Sequence, residues 1–285
     1  MTSTDGFLLV DKPAGITSHD VVAAVRRATG LSRVGHTGTL DPFATGLLVV
    51  LVGRTTRLSQ FIRSEPKTYV ATIAFGRETT TDDSTGETRR ESVAPTLDRI
   101  TIGIEQLTGE IEQLPPSYSA KQVGGTRAYA AARRGTPLQL QPVPVRVFDW
   151  VVHSYTDGLL HATISCGGGT YVRALARDLG RLADSAAHLH ALRRTGSGAF
   201  DVRDAATMDE LQNGEFVVRP SQDALTDLPL EQLTEASERA VRHGRAIPAQ
   251  VPGERAALVD RQGVLIAIAE REENLWHPRV VLADA

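Results

Sequence analysis

Gly35-His36-Thr37-Gly38-Thr39-Leu40-Asp41-Pro42-Phe43-Ala44-Thr45-Gly46 is the stretch from which the rest of the chain is best read. Asp41 lies between two turns of small residues, and Pro42 biases it away from the α region. Three glycines and three threonines suit a loop whose backbone turns tightly or lies close against a ligand. The apolar run at residues 47–52 reads as a buried strand, which leaves the Asp41 carboxylate at the mouth of a loop abutting the core. Such a carboxylate is placed to react. An ordinary Asp-Pro turn explains the same residues, and more often, so the loop alone does not decide between them.

Composition narrows the classes. At 285 residues the chain is long enough for one large domain and a small one. Its hydrophobic fraction of 41% is near the globular norm, and no apolar run approaches the roughly 20 residues that span a bilayer. Residues 1–6 lack the basic and apolar regions of a signal peptide. A single cysteine, Cys166, excludes an internal disulfide and a Cys-based zinc site, and points to a reducing, cytoplasmic setting. The eight histidines include no His-x3-His pair beside a carboxylate or Cys ligand, so no metal site is expected.

The net charge of -3 argues against a uniformly basic nucleic-acid binder, but the charges are segregated along the chain. Residues 26–63 hold six arginines, with Asp41 the only acid. Residues 113–148 carry Lys121, Arg127, Arg133, Arg134 and Arg146 without an acid, whereas residues 78–112 carry nine acids against three arginines. Segregation of this kind makes a basic face opposite an acidic back, or merely solvated loops.

Taken in order, residues 6–12 read as a short strand ending in a Lys12-Pro13-Ala14-Gly15 turn, and Thr17 or Ser18 caps the helix after it. Val21, Val22 and Val25 fall on that helix's buried face. Residues 55–62 read as a short helix, residues 67–76 as an alternating strand carrying Tyr69, and Thr96 as the cap of another helix. Pro115 and Pro116 keep the next segment extended, and residues 127–134 form an alanine-rich helix closed by Gly135. Residues 143–153 and 159–166 pair across a Thr156-Asp157-Gly158 turn; a glycine-rich turn then opens a helix through Leu182. The triple glycine lacks the Gly-Lys-Ser/Thr of a phosphate-binding loop. Residues 207–214 read as a short helix. After residue 229 three strand-like pieces, 255–260, 264–270 and 275–282, suit a small β-barrel.

The opening stretch resembles the catalytic motif of the TruB family of pseudouridine synthases, through Gly35, His36, Gly38, Leu40, Asp41, Pro42, Ala44 and Gly46. Five further segments match the same family: Lys12-Pro13 with Thr17-Ser18, Tyr69 following Lys67, Gln113 to Ala120, Gly169-Thr170-Tyr171-Val172-Arg173, and Leu192-Arg193-Arg194. The loop at residues 79–86 departs from the family pattern, because Thr80 stands where the first Asp belongs and only Asp83 aligns. It is left out of the expected catalytic set.

The resemblance implies an α+β fold: a mixed, mainly antiparallel sheet flanked by helices and loops, with a small C-terminal PUA-like β-barrel. It divides the chain into a catalytic domain at residues 1–225 and a PUA-like RNA-binding domain at residues 226–285. It implies Asp41 as nucleophile, Arg173 as the cation paired with it, and Tyr69 as the ring that stacks on the uracil and a candidate base. Leu192 becomes the apolar wall, His36 the residue that fills the flipped base's place, and Lys12, Arg193 and Arg194 RNA contacts. The implied reaction is isomerisation of uridine 55 in the T-loop of tRNA. It needs no cofactor and no metal, with tRNA as partner, no membrane, and a monomer in the cytoplasm. The alternatives are a noncatalytic RNA-binding or tRNA-folding protein on the same scaffold, and the same chemistry on another RNA.

Overall fold

The structure, a computed structural model, describes residues 5–119, 122, 123, 126, 127, 131, 134, 136 and 138–282. Lys121, Arg133 and Gly135, and most of the expected helix at residues 127–134, lie outside the described residues. The chain divides into two compact units: Met1–Asp41, Leu47–Ser64 and Ala199–Ala285 form the first, and Pro42–Gly46 and Glu65–Gly198 the second.

In the first unit, strand Gly6–Lys12 lies beside residues 47–52 of strand Thr45–Val52, and Val34–His36 pairs antiparallel with the latter. Both long strands are continuous apolar runs because both faces are covered. Leu8, Val10, Leu48 and Val50 pack on Val21, Val22 and Val25 of helix Ser18–Thr29. Phe7, Leu9, Leu47, Val49 and Leu51 point the other way, into a cluster with Ala257, Val259, Leu265, Ile268, Val280 and Leu282. Thr17 caps the helix in a capping box with Asp20, and Gly30 closes it in the left-handed region at φ 70°.

The helix expected at residues 55–62 is only a 3-10 turn, Gly53–Leu58. Thr55 and Thr56 are weak helix formers, and the Thr55 hydroxyl is held 2.5 Å from that of Ser221. Leu58 and Ile62 are buried and Phe61 is half-buried.

The C-terminal strands form a curled five-stranded sheet of PUA-like character, in the order Leu230–Gln232, Arg255–Val259, Leu265–Glu272, Leu275–Val281, Ile247–Pro248. Its first pair is parallel and the others antiparallel. Trp276 is fully buried there, with its indole N–H on Glu231 Oε2.

The second unit is built on an antiparallel run: Ala187–Ser197, Lys67–Phe75, Leu159–Cys166, Val143–Thr156, Gly109–Gln113. Asp157 and Gly158, at φ 53° and 75°, make the tight turn between two of these strands. Lys67–Phe75 buries Tyr69, Ala71, Ile73 and Phe75 on one face. Helices Leu97–Gln106 and Val172–Leu182 belong to this unit, and Gly103 lets the first approach Leu179 of the second. Thr45 and Gly46 pair in parallel with Arg193 and Arg194, which makes the sheet mixed. The α+β architecture expected from the sequence is the observed one.

Candidate active site

Asp41 is half-buried in the first unit, immediately after a firmly held residue. Leu40 is buried, its N–H donates to Ser18 Oγ at 2.9 Å, and its C=O accepts from the same hydroxyl at 3.1 Å. Lys12 is fully buried, and its ammonium donates to the carbonyls of Pro13 (2.9 Å) and Ile16 (2.8 Å), closing the turn that leads into Ser18. His36 is half-buried and sits opposite Val50 at the end of its short strand.

The second unit assembles the other expected residues. Register places Gly46 opposite Arg194, Arg194 opposite Tyr69, and Tyr69 opposite Ile164. Paired residues project from the same face of a sheet, so Tyr69 and Arg194 share one, with Leu192 and Ala71 two residues further on. Tyr69, Leu192 and Arg194 are all buried there, at 7%, 8% and 2% exposure. Arg193 projects to the opposite face, in a row with Val70 and Thr45, and donates to the Thr45 hydroxyl at 3.5 Å. Sequence adjacency hid this division between Arg193 and Arg194.

Arg173 opens helix Val172–Leu182 and is buried. The helix start is fixed by Gln113, fully buried, whose amide accepts from Tyr171 N (2.8 Å) and donates to Tyr171 O (3.2 Å). The Arg173 guanidinium donates to the carbonyls of Thr81 (3.0 Å) and Tyr118 (2.9 Å) and lies 3.4 Å from Asp83 Oδ2. One turn on, Arg177 pairs with Asp82 at 2.9 Å and donates to Leu114 O at 2.8 Å; a further turn on, Arg181 pairs with Glu78 at 2.7 Å. Arginines at i, i+4 and i+8 thus grip the 78–83 segment, and two of them also grip the Leu114–Tyr118 carbonyls.

Burial pushes the Asp82 carboxyl above its ordinary value, against the pull of Arg177 and Arg173. Burial also works against ionised Glu78, but the bond from Arg181, with Arg89 and Arg90 nearby, holds its carboxyl below the usual range. Lys67, on the same strand face as Tyr69, is lowered by burial and then by the Arg194 charge. Burial pushes the Cys166 thiol up to about 11, so it stays protonated and unreactive.

A family model described as TruB family pseudouridylate synthase (N terminal domain) matches residues 26–172, more than half of the chain. A second, described as tRNA pseudouridylate synthase B C-terminal domain, matches residues 173–241. The chain belongs to the TruB family of pseudouridylate synthases. It is accordingly an enzyme, an isomerase of the tRNA pseudouridine synthase B kind. The TruB relative tRNA pseudouridine synthase B of Thermobifida fusca (strain YX) is 43% identical over 292 residues, covering 99% of each chain. That of Mycobacterium tuberculosis (strain ATCC 25618 / H37Rv) is 39% identical over 287 residues, covering 98% of this chain and 96% of the relative. Among solved structures, a Cbf5-Nop10-Gar1 complex matches with a TM-score of 0.73 at 23% identity, over 98% of this chain and 85% of that one. At that identity the likeness is one of fold.

Two features of this TruB chain were missed in the sequence. Asp82 and Asp83, set aside because of Thr80, are buried partners of Arg177 and Arg173. Asp83 Oδ1 also accepts from the Thr81 and Thr85 hydroxyls, at 2.7 and 2.6 Å. The available signal was the density of short hydroxyl side chains around two acids, which can satisfy a carboxylate locally. The other feature is Ser18, a candidate cap inside the family-like segment at residues 12–18, whose two bonds to Leu40 have no signal in the sequence.

Proposed function

We propose that this TruB enzyme isomerises uridine 55 in the T-loop of tRNA, with Asp41 as the nucleophile. The reaction breaks the C1′–N1 glycosidic bond, turns the uracil and forms a C1′–C5 bond; C5 loses a proton and N1 gains one. No group enters or leaves, so one activated carboxylate and a pocket that retains the free base suffice. Attack on the sugar, attack on the base, and removal of a sugar proton to form a glycal all draw on the same carboxylate.

The observation that carries the reading is the register of the motif. Gly46, five residues after Asp41, is in line with Arg194 and Tyr69 on a buried sheet face that also bears Leu192. On this reading the uracil leaves its stack, a cost of a few kcal/mol. It meets the Tyr69 ring, a contact worth roughly 1–3 kcal/mol, with Leu192 as the wall. Arg173 keeps Asp41 ionised once RNA excludes water. His36 takes the vacated place, and Arg193 and Arg194 contact the RNA. Lys12 serves the RNA through the turn that its ammonium closes. Residues 226–285 act as a PUA-like RNA-binding domain beside a catalytic domain at residues 1–225, and the enzyme works as a cytoplasmic monomer. Among the described residues no helix is long and apolar enough to cross a membrane.

The test is mass mapping of pseudouridine in a T-arm transcript after incubation with pure protein. Wild type is expected to convert the uridine at position 55, and Asp41→Asn to give no product while tRNA affinity stays within a few-fold. Near-normal turnover by Asp41→Asn would remove it as nucleophile. Tight binding without product in the wild type would favour the noncatalytic RNA-binding alternative.

A further inference from the structure

We infer that Ser18 is a positioning residue for Asp41, acting through the main chain of Leu40. The inference rests on the reading of Asp41 as the nucleophile.

Helix Ser18–Thr29 does not need this hydroxyl. Thr17 is its N-cap: its side chain accepts from Asp20 N at 3.1 Å, and Asp20 Oδ2 accepts from Thr17 N at 2.8 Å. Ser18 begins the helix, is 3% exposed, and turns its hydroxyl onto a residue 22 positions away. There it makes both bonds available to one peptide residue, accepting from Leu40 N at 2.9 Å and donating to Leu40 O at 3.1 Å.

A hydroxyl carries one donor and two acceptor sites, so both contacts are made at once. Two main-chain bonds to one side chain fix the orientation of Leu40 as well as its position. The Leu40 side chain is itself buried, at 3% exposure, and supplies a third point of attachment. The next α-carbon is that of Asp41, whose freedom is further cut by Pro42. The loop that carries the carboxylate is therefore anchored to the capped end of a helix. Gln113 grips both main-chain groups of Tyr171, two residues before Arg173, in the same way. A displacement of about 1 Å at a reacting group can cost on the order of 100-fold in rate, so the Leu40 grip belongs to the catalytic geometry.

The experiment compares Ser18→Ala, Ser18→Cys, Thr17→Ala and Asp41→Asn. Single-turnover rates are measured at saturating enzyme on a T-arm transcript, together with affinity for that transcript, Tm, and hydrogen exchange of the Leu40 amide. Ser18→Ala removes both bonds and is expected to lower the rate by about 10- to 100-fold, with affinity unchanged within two-fold and Leu40 exchange accelerated. Ser18→Cys fills the same space with a weaker donor and acceptor, so it folds where the alanine variant does not; it is expected to fall between wild type and Ser18→Ala. Thr17→Ala loses the cap of the same helix, so its Tm should fall while its rate stays within two-fold of wild type.

A wild-type rate in a folded Ser18→Ala, or in Ser18→Cys if the alanine variant does not fold, with Asp41→Asn inactive, overturns the inference and leaves the nucleophile in place. Equal rate losses in Ser18→Ala and Thr17→Ala, matching their losses in Tm, would make Ser18 merely structural and overturn it too. Turnover by Asp41→Asn would remove the reading beneath it, and the inference with it.

Discussion

A methyl group at position 46 would meet the main-chain oxygen of Arg194, and Gly46 has φ 104°, in the region that glycine alone adopts comfortably. Gly46→Ala is therefore expected to lose about 1–3 kcal/mol from backbone strain alone, and more where strand Ala187–Ser197 is pushed aside. Its denaturation midpoint should fall clearly below wild type; an unchanged midpoint would mean that the parallel pairing at Arg193 and Arg194 is loose. At this scale Asp41, Tyr69 and Arg173 stand out in the sequence through segments that resemble the family's motifs, since a strand tyrosine and a helix arginine are otherwise ordinary. Asp82 and Asp83 could not: acids in a Thr- and Gly-rich loop look solvated until a helix with arginines facing that loop is known to pack there. Ser18 was ambiguous for a related reason. Either of two adjacent hydroxyl residues can cap a helix, and only the structure assigns the cap to Thr17 and frees Ser18 for Leu40.

Strands were read accurately where the apolar pattern is strong, whether continuous or alternating. The continuous apolar runs in Gly6–Lys12 and Thr45–Val52, and the alternation in Lys67–Phe75, gave strands within two residues of those observed. Helix Glu235–Arg242 was not anticipated: it is short and mostly charged, and its apolar side is made of two alanines and one buried residue, Val241. Strand Ala187–Ser197 carries a testable charge. His188 is buried with Nδ1 2.8 Å from Arg77 O, so Nδ1 carries the proton, and Nε2 has no partner among the described residues. Burial lowers its pKa from the ordinary 6.5, with the Arg77 carbonyl opposing the shift. The unfolded chain then binds a proton below about pH 6.5 that the folded chain refuses, so stability is full above that pH and falls as pH drops towards the lowered value. The slope is at most about 1.4 kcal/mol per pH unit. His188→Asn, which keeps an N–H for Arg77 O, should flatten the Tm profile below about pH 6.5; an unaltered profile would mean that burial does not shift His188.

Folding rearranges the charge segregation seen along the whole sequence. In the run from Arg26 to Arg63, Arg54 meets Asp5 and Arg63 meets Asp227, while Glu78, Asp82 and Asp83 of the acidic stretch are buried against arginines. Arg27 and Arg33 stay exposed and suit phosphate contact. Binding of tRNA should still weaken with salt, by about 0.7–0.9 log units per log unit of salt for each phosphate neutralised. A total slope steeper than about -2 is expected from a titration between low and moderate salt, and a flat titration would count against RNA binding through this basic run. The cluster that joins Phe7, Leu9, Leu47, Val49 and Leu51 to residues 257–282 bears on how the chain is made. A ribosome adds about 5–20 residues per second, so the stretch from residue 65 to residue 256 takes roughly 10–40 s. Throughout that interval one face of the first unit's central strands has emerged without the part of its cover that residues 257–282 supply, an apolar sheet surface of the kind that seeds aggregation. A nascent chain stalled before residue 257 would leave that face only partly covered, by Leu58, Ile62, Phe200, Ala224 and Leu225, and the first strands made must wait for the last to complete their core.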